Sequence, residues 1–116
     1  MKIGVVGLGN RIVHVFHELK KINSDVDLVA YVDPQPIGKP YAVKNNFFPQ
    51  KNYKNLKEMI TNESLDLLMV GSPNHLHLEH IKEGLNAGLK IFAEKPIVVD
   101  ETQTLELAKL VKEFGS

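Results

Sequence analysis

Short apolar runs alternate with longer amphipathic segments along this 116-residue chain. The first run, residues 3–6, lacks strict alternation of apolar and polar positions, which is typical of a strand covered by helices on both faces. Similar runs follow at residues 28–32, 65–71 and 89–93. Strands that alternate with helices predict a parallel, doubly wound α/β sheet, and we expect the strand order 3-2-1-4-5.

The segments between these runs carry apolar residues at helical spacing. In the first segment they form one predicted inner stripe, with His14 and His17 expected on the solvent side, and the stripe consists of Ile12, Val15, Phe16, Leu19 and Ile22. Later segments predict helices over residues 56–61, 76–86 and 101–114. Residues 38–52 give no such signal, so we expect a loop there with at most one helical turn near residues 41–45.

Glycines mark the end of the first predicted strand. Gly7 permits a sharp turn, and Gly9 has no Cβ, so a pyrophosphate can approach the backbone closely. Asn10, Arg11 and Ile12 then open the first predicted helix, whose unpaired amides and positive dipole end favour an anion. The segment therefore predicts the phosphate site of a dinucleotide.

A carboxylate ends the second apolar run. Asp33 comes 24 positions after Gly9 (33 − 9), close to the spacing expected for a residue that binds the adenosine ribose. The third glycine of this fingerprint would fall at Ile12, and because that glycine serves helix–strand packing, we expect a slightly displaced helix rather than a lost site. The alternative is a glycine-rich turn that only reverses the chain.

Asp33 also predicts NAD rather than NADP as the cofactor. A 2′-phosphate ~4 Å from a carboxylate is repelled by about 4 kcal/mol per unit charge at an effective dielectric constant near 20. The residues after Asp33 are Pro, Gln and Pro, the sole arginine of the chain is Arg11, and Lys39 is a distant substitute.

Two further motifs follow the last two apolar runs, and with them the chain resembles a known family. The resemblance is to the N-terminal half of the Gfo/Idh/MocA oxidoreductases, which oxidise or reduce sugars, cyclitols and related polyols with a nicotinamide cofactor. It covers residues 1–116, and it implies a Rossmann-like dinucleotide-binding domain. The residues that carry it are the glycine loop, Val32-Asp33-Pro34, Ser72-Pro73-Asn74-His75-Leu76-His77 and Glu94-Lys95-Pro96.

The resemblance implies cofactor contacts from the first of these motifs. Ser72, Pro73 and Asn74 would line the cofactor near the pyrophosphate and the nicotinamide ribose, and His77 would open the next helix.

The resemblance implies the catalytic residue from the second motif. Glu94 would face the nicotinamide, and Lys95 would hydrogen-bond the hydroxyl group that is oxidised. A buried ammonium at that place stabilises negative charge that develops on oxygen. Pro96 would hold the backbone of Lys95 in an extended conformation.

The family also implies parts that these 116 residues do not include, namely a sixth strand and a second domain with most substrate contacts and the oligomer interface. We therefore expect a fragment of a longer, homo-oligomeric oxidoreductase that binds NAD but catalyses little alone. The alternative is a non-catalytic dinucleotide sensor or interaction module, in which Lys95 would have no role. A domain for some other nucleotide is disfavoured by Asp33.

The composition of the chain limits which kinds of binding partner are expected. The 14 basic and 14 acidic residues give zero formal net charge, and without a basic cluster nucleic-acid binding is not expected. We expect no membrane span, since no apolar run is long enough. The absence of cysteine is compatible with the expected cytoplasmic location. His75, His77 and His80 have no Cys or clustered Asp beside them, so no metal site is expected.

Overall fold

A computed structural model describes residues 1–49, 51–72 and 74–93, with the backbone alone at residues 74, 75 and 77. The predicted helix over residues 101–114 lies outside the described residues, and so do Pro73, Glu94, Lys95 and Pro96.

Strands and helices alternate through the described residues, and the strands form one parallel five-stranded sheet. Its order, β3-β2-β1-β4-β5, confirms the predicted doubly wound architecture. The elements are β1 (Lys2–Val6), α1 (Asn10–Ile22), β2 (Asp27–Val32), α2 (Lys39–Lys44), β3 (Lys51–Asn52), α3 (Leu56–Asn62), β4 (Leu67–Val70), α4 (Asn74–Asn86) and β5 (Lys90–Ala93).

The prediction of a loop over residues 38–52 is wrong at β3, and the helical turn expected near residues 41–45 is the longer helix α2, which begins at Lys39. Helix α2 has six residues, of which only Ala42 is buried, so it presents no apolar stripe in the sequence. Strand β3 pairs with β2 through Lys51 and Asn52 alone, and both residues are exposed at the edge of the sheet. A strand this short and polar has no hydrophobic period to detect.

The sheet is covered on both faces, which explains the apolar runs. On one face Ile3 and Val5 of β1 pack with residues of α1 and α2. On the other face Val6 packs with residues of α3 and α4. Successive side chains of a strand point to opposite faces, so a strand between two helical layers needs apolar residues at nearly every position.

Helix α1 faces both the sheet and α2, and this corrects its predicted stripe. Ile22, expected on the inner side, is 85% exposed, whereas Val13 is buried. His17 was expected in solvent but is half-buried, and its Nδ1 lies 2.6 Å from the hydroxyl oxygen of Tyr41 in α2. His14 is exposed, as expected, and its ring stacks on Tyr41. A stripe predicted for packing against the sheet alone leaves out the residues of α1 that pack against α2.

Candidate dinucleotide site

The two glycines of the loop after β1 meet different surroundings. Gly7 has φ +83°, and a Cβ there would lie 2.3 Å from the backbone nitrogen of Ser72, so no larger residue fits. A Cβ on Gly9 would have no heavy atom within 4 Å. The space over Gly9, directly before the first turn of α1, is therefore open to a ligand. An anion placed there meets the positive end of the helix dipole, so the residues present fit a pyrophosphate.

Asp33 holds the glycine loop in place, a role that the sequence analysis did not anticipate. Its Oδ2 accepts a hydrogen bond from the Leu8 amide at 2.8 Å, and its Oδ1 accepts one from the Gln35 amide at 2.8 Å. From the other side, the Gly38 amide donates to the Leu8 carbonyl at 2.9 Å. A carboxylate oxygen can accept two hydrogen bonds, so each oxygen of Asp33 retains capacity for a ribose hydroxyl.

The missing third glycine is matched by a glycine on the facing strand end. Ile12 is fully buried, and a Cβ on Gly71 would lie 3.1 Å from the Ile12 Cβ and 2.5 Å from the Gly7 carbonyl oxygen. Gly71 thus leaves the room that the bulky Ile12 side chain uses. No displacement of α1 is measured here, so that expectation stays a prediction.

The end of β4 contributes a buried hydroxyl. Ser72 is 5% exposed, and its Oγ lies 2.7 Å from Nδ1 of His80 in α4. Helix α4 begins at Asn74, two residues earlier than predicted, so His77 lies in its first turn. The sequence analysis considered His80 only as a metal ligand, and a histidine one helical turn inside the next element carries no signal for a contact with Ser72.

These groups line one cavity of about 680 Å³ at the carboxyl edge of the sheet. It brings together four of the predicted residues: Gly7, Gly9, Asp33 and Ser72. Its volume lies within the range usual for small-molecule and cofactor sites. The residues of the cavity that sequence analysis missed include Gln35, Lys54, Leu76, Glu79, His80 and Glu83.

The remaining predicted residues are placed only in part. Asn10 and Arg11 open α1 and are exposed, and Ile12 packs beneath the loop instead of facing the cavity. Of Asn74 and His77 only the backbone position in α4 is described. Burial and, to a smaller extent, the charge of Asp33 raise the pKa of Tyr31, which lies in β2 two residues before Asp33.

None of the helices within residues 1–49, 51–72 and 74–93 is long and apolar enough to cross a membrane. The same residues contain no group of three or more metal-ligating side chains, while the side chains of His75 and His77 lie outside the description.

Comparison with known proteins decides the family. Residues 1–116 match the Gfo/Idh/MocA family, described as an oxidoreductase family with an NAD-binding Rossmann fold. The chain belongs to this family. The resemblance inferred from the glycine loop and the later motifs is thereby confirmed, and with it the Rossmann fold.

Relatives within the Gfo/Idh/MocA family include enzymes of known name. The chain is 25% identical to the inositol 2-dehydrogenase/D-chiro-inositol 3-dehydrogenase of Lactiplantibacillus plantarum over 114 residues, which are 98% of this chain and 33% of the relative. The crystal structure of myo-inositol 2-dehydrogenase from Lactobacillus plantarum matches with TM-score 0.81 and 30% identity, over 98% of this chain and 33% of that chain.

A third relative was solved with its ligands. The scyllo-inositol dehydrogenase of Lactobacillus casei, with bound NAD(H) and scyllo-inositol, matches with TM-score 0.77 and 26% identity over 98% of this chain and 33% of that chain. The chain thus spans about a third of the length of the relatives it matches.

Proposed function

We propose that the chain is the NAD-binding domain of an oxidoreductase that transfers a hydride between a nicotinamide cofactor and a sugar, cyclitol or related polyol. The observation that carries the proposal is the open space over Gly9 in the cavity that also contains Asp33. The inositol dehydrogenases among the relatives support the substrate class.

Different residues of the cavity bind different parts of the cofactor. When bound, the cofactor supplies the hydride acceptor or donor. The backbone around Gly9 and the first turn of α1 bind the pyrophosphate, and Asp33 accepts hydrogen bonds from the adenosine ribose. Ser72, held by His80, offers its hydroxyl at the end of β4. Because Asp33 also orders the glycine loop through Leu8, the loop is preorganised before the cofactor arrives.

The test is a fluorescence titration of the 116-residue chain with NADH and, separately, with NADPH. We expect saturable binding of both, with NADH bound more tightly because Asp33 repels a 2′-phosphate. Failure of NADH to bind contradicts the proposed site. Tighter binding of NADPH contradicts the cofactor preference alone.

Asp33→Ala separates the two roles of this carboxylate. The variant loses the repulsion of NADPH, so the ratio of the two dissociation constants is expected to fall toward one. It also frees the Leu8 amide, so we expect at least about tenfold weaker binding of NADH. Asp25→Ala, which removes an exposed carboxylate after α1, is the matched control and keeps the wild-type ratio. An unchanged ratio in Asp33→Ala would show that the carboxylate does not select the cofactor.

We further propose that Lys95 stabilises negative charge on the substrate oxygen, as its place in the family motif implies, with Glu94 and Pro96 beside it. Lys95→Met is expected to lower kcat at least about 100-fold, in the range usual for such groups, while the dissociation constant of NADH changes less than about threefold. The assay uses the protein as its gene encodes it. An unchanged kcat in Lys95→Met would contradict this role of Lys95, and a wild-type protein that turns over none of the polyols assayed would favour the dinucleotide sensor instead.

We further propose the protein and the compartment to which the domain belongs. The length of the relatives supports a longer, two-domain protein, which we expect to be homo-oligomeric. The absence of cysteine and the zero formal net charge support a cytoplasmic enzyme without nucleic-acid or membrane partners.

A further inference from the structure

One carboxylate oxygen in the cavity has no partner within the described part of the chain. Glu83 Oε2, in the third turn of α4, is shielded from solvent and accepts no hydrogen bond from residues 1–49, 51–72 or 74–93. Buried polar atoms in native proteins nearly always have a hydrogen-bond partner, because leaving them without one costs free energy. A rotation of the Glu83 carboxylate toward the cavity, which its side chain lines, would bring this oxygen to a hydrogen-bond donor on a ligand.

Glu83 lines the same cavity as Gly9 and Asp33. It follows the start of α4 at Asn74 by nine residues (83 − 74), so it lies roughly 13 Å down the helix from the edge that carries the glycine loop. A dinucleotide with its pyrophosphate at Gly9 and its adenosine ribose at Asp33 extends its base beyond the ribose, away from that loop. With the pyrophosphate and the ribose placed, the adenine base is the part of the cofactor assigned to the region of the cavity around Glu83.

The walls of this cavity are mostly apolar. Val6, Val32 and Leu56 contribute buried side chains from the sheet and α3, and half-buried Leu76 contributes from α4. An apolar cleft with a few placed polar groups suits a flat heteroaromatic ring whose edge carries the polar contacts. An acceptor at that edge selects a ring that carries a donor.

We propose that Glu83 recognises the 6-amino group of adenine and thereby sets the base specificity of the site. This inference rests on the proposed function, because that function places the adenosine half of the cofactor in the cavity. An ionised carboxylate offers acceptors only, so it pairs with the amino group and opposes the 6-oxo group of hypoxanthine. A site built to bind one such group rejects the analogue that lacks it, because the buried partner is then left unpaired.

The experiment compares NADH with reduced nicotinamide hypoxanthine dinucleotide, whose base carries a 6-oxo group and an N1–H in place of the 6-amino group and the unprotonated N1 of adenine. The 116-residue chain is expected to bind NADH at least about tenfold more tightly. Glu83→Gln adds an amide N–H that donates to the oxo group, so the ratio of the two dissociation constants is expected to fall to about one or below. A ratio measured on one variant does not depend on how much of that variant is folded.

Glu18→Gln is the matched control, since it makes the same change of charge at an exposed site on α1 outside the cavity. Its ratio is expected to equal that of the wild type. Equal affinities for the two dinucleotides in the wild type, or a wild-type ratio in Glu83→Gln, overturn the role of Glu83 and leave the proposed function standing. A chain that binds neither dinucleotide overturns both.

Discussion

Gly7 and Gly9 differ in what their missing side chains make possible, although both belong to the same short motif. Gly7 is required by the fold: its φ is +83°, and a Cβ would overlap the backbone at Gly71 and Ser72. Gly9 has φ −86° and open space, so the fold itself would accept a side chain there. The sequence shows two equal glycines, and only their surroundings separate a structural role from a binding role.

This difference predicts opposite outcomes for two alanine variants. Gly9→Ala is expected to change the free energy of unfolding by less than about 1 kcal/mol, the cost of a poorer N-cap, while NADH binds at least about tenfold more weakly. Gly7→Ala forces a side chain into φ +83° and into backbone, so it is expected to destabilise by more than about 2 kcal/mol.

Urea unfolding and NADH titration of both variants give the comparison. Strong destabilisation by Gly9→Ala, or full NADH affinity in it, would contradict the assignment of the open space to the cofactor.

At the scale of elements, short β3 illustrates how tertiary contacts hold what local propensity does not. Its residues Lys51 and Asn52 are exposed, but the side chains of Lys51 and of Tyr53, which follows the strand, contact Glu63 directly after α3. The Tyr53 hydroxyl donates a hydrogen bond to Glu63 Oε2, and Lys51 Nζ lies 3.3 Å from the same oxygen. The hydrogen bond from Tyr53, with a smaller contribution from Lys51, lowers the pKa of Glu63.

The lowered pKa predicts a pH-dependent contribution to stability. The charged form of Glu63 is favoured in the folded state, so its contribution is present above its ordinary pKa of about 4.5 and is lost as the pH falls through the lower folded value. Glu63→Gln is expected to destabilise by about 1 kcal/mol at pH 7 and by progressively less below pH ~4.5.

Urea unfolding of the wild type and Glu63→Gln between pH 7 and pH 3 measures this difference. Glu18→Gln, which breaks only an exposed pair with Lys21, is expected to show a small difference throughout. A difference for Glu63→Gln that is the same at both ends of the range would contradict the tether.

At the scale of the whole molecule, the cavity lies where the strand order reverses direction. Strand β1 lies between β2 and β4 in the sheet. Helix α1 follows β1 and packs on one face, whereas α4 follows β4 and packs on the other, so the loops after β1 and β4 lead to opposite faces of the sheet. A crevice opens between them at the carboxyl edge, as in other doubly wound folds. Gly7 and Gly71 meet at the base of this crevice, and Asp33 and α4 form its sides.

Binding across these elements predicts a rise in thermal stability. A ligand that binds only the folded state at 100 times its dissociation constant stabilises it by about 2.7 kcal/mol. For a domain of this size the Tm is expected to rise by about 10 °C.

A melting curve with and without NADH measures the shift, and Gly9→Ala at the same NADH concentration is expected to shift less. An equal shift in the variant would show that the stabilisation does not arise at the glycine loop.

The sequence by itself determined the alternation of strands and helices, and hence the fold class, together with the dinucleotide motif, because these depend on local patterns; β3 left no such pattern. Apolar runs such as residues 3–6 follow from burial on both faces, and the positions of Gly7, Gly9 and Asp33 follow from the order of strand, loop and helix. Each of these signals is contained within one segment of the chain.

Only the tertiary structure decided which distant residues meet. Val13 is buried where α2 packs on α1, Gly71 makes room for Ile12, and Glu83 reaches the cavity of Asp33. These facts depend on how α2, β4 and α4 pack against segments far away in sequence. A local hydrophobic period shows which face of an element is buried, but not which distant element packs against that face, because the contact forms only in the folded chain.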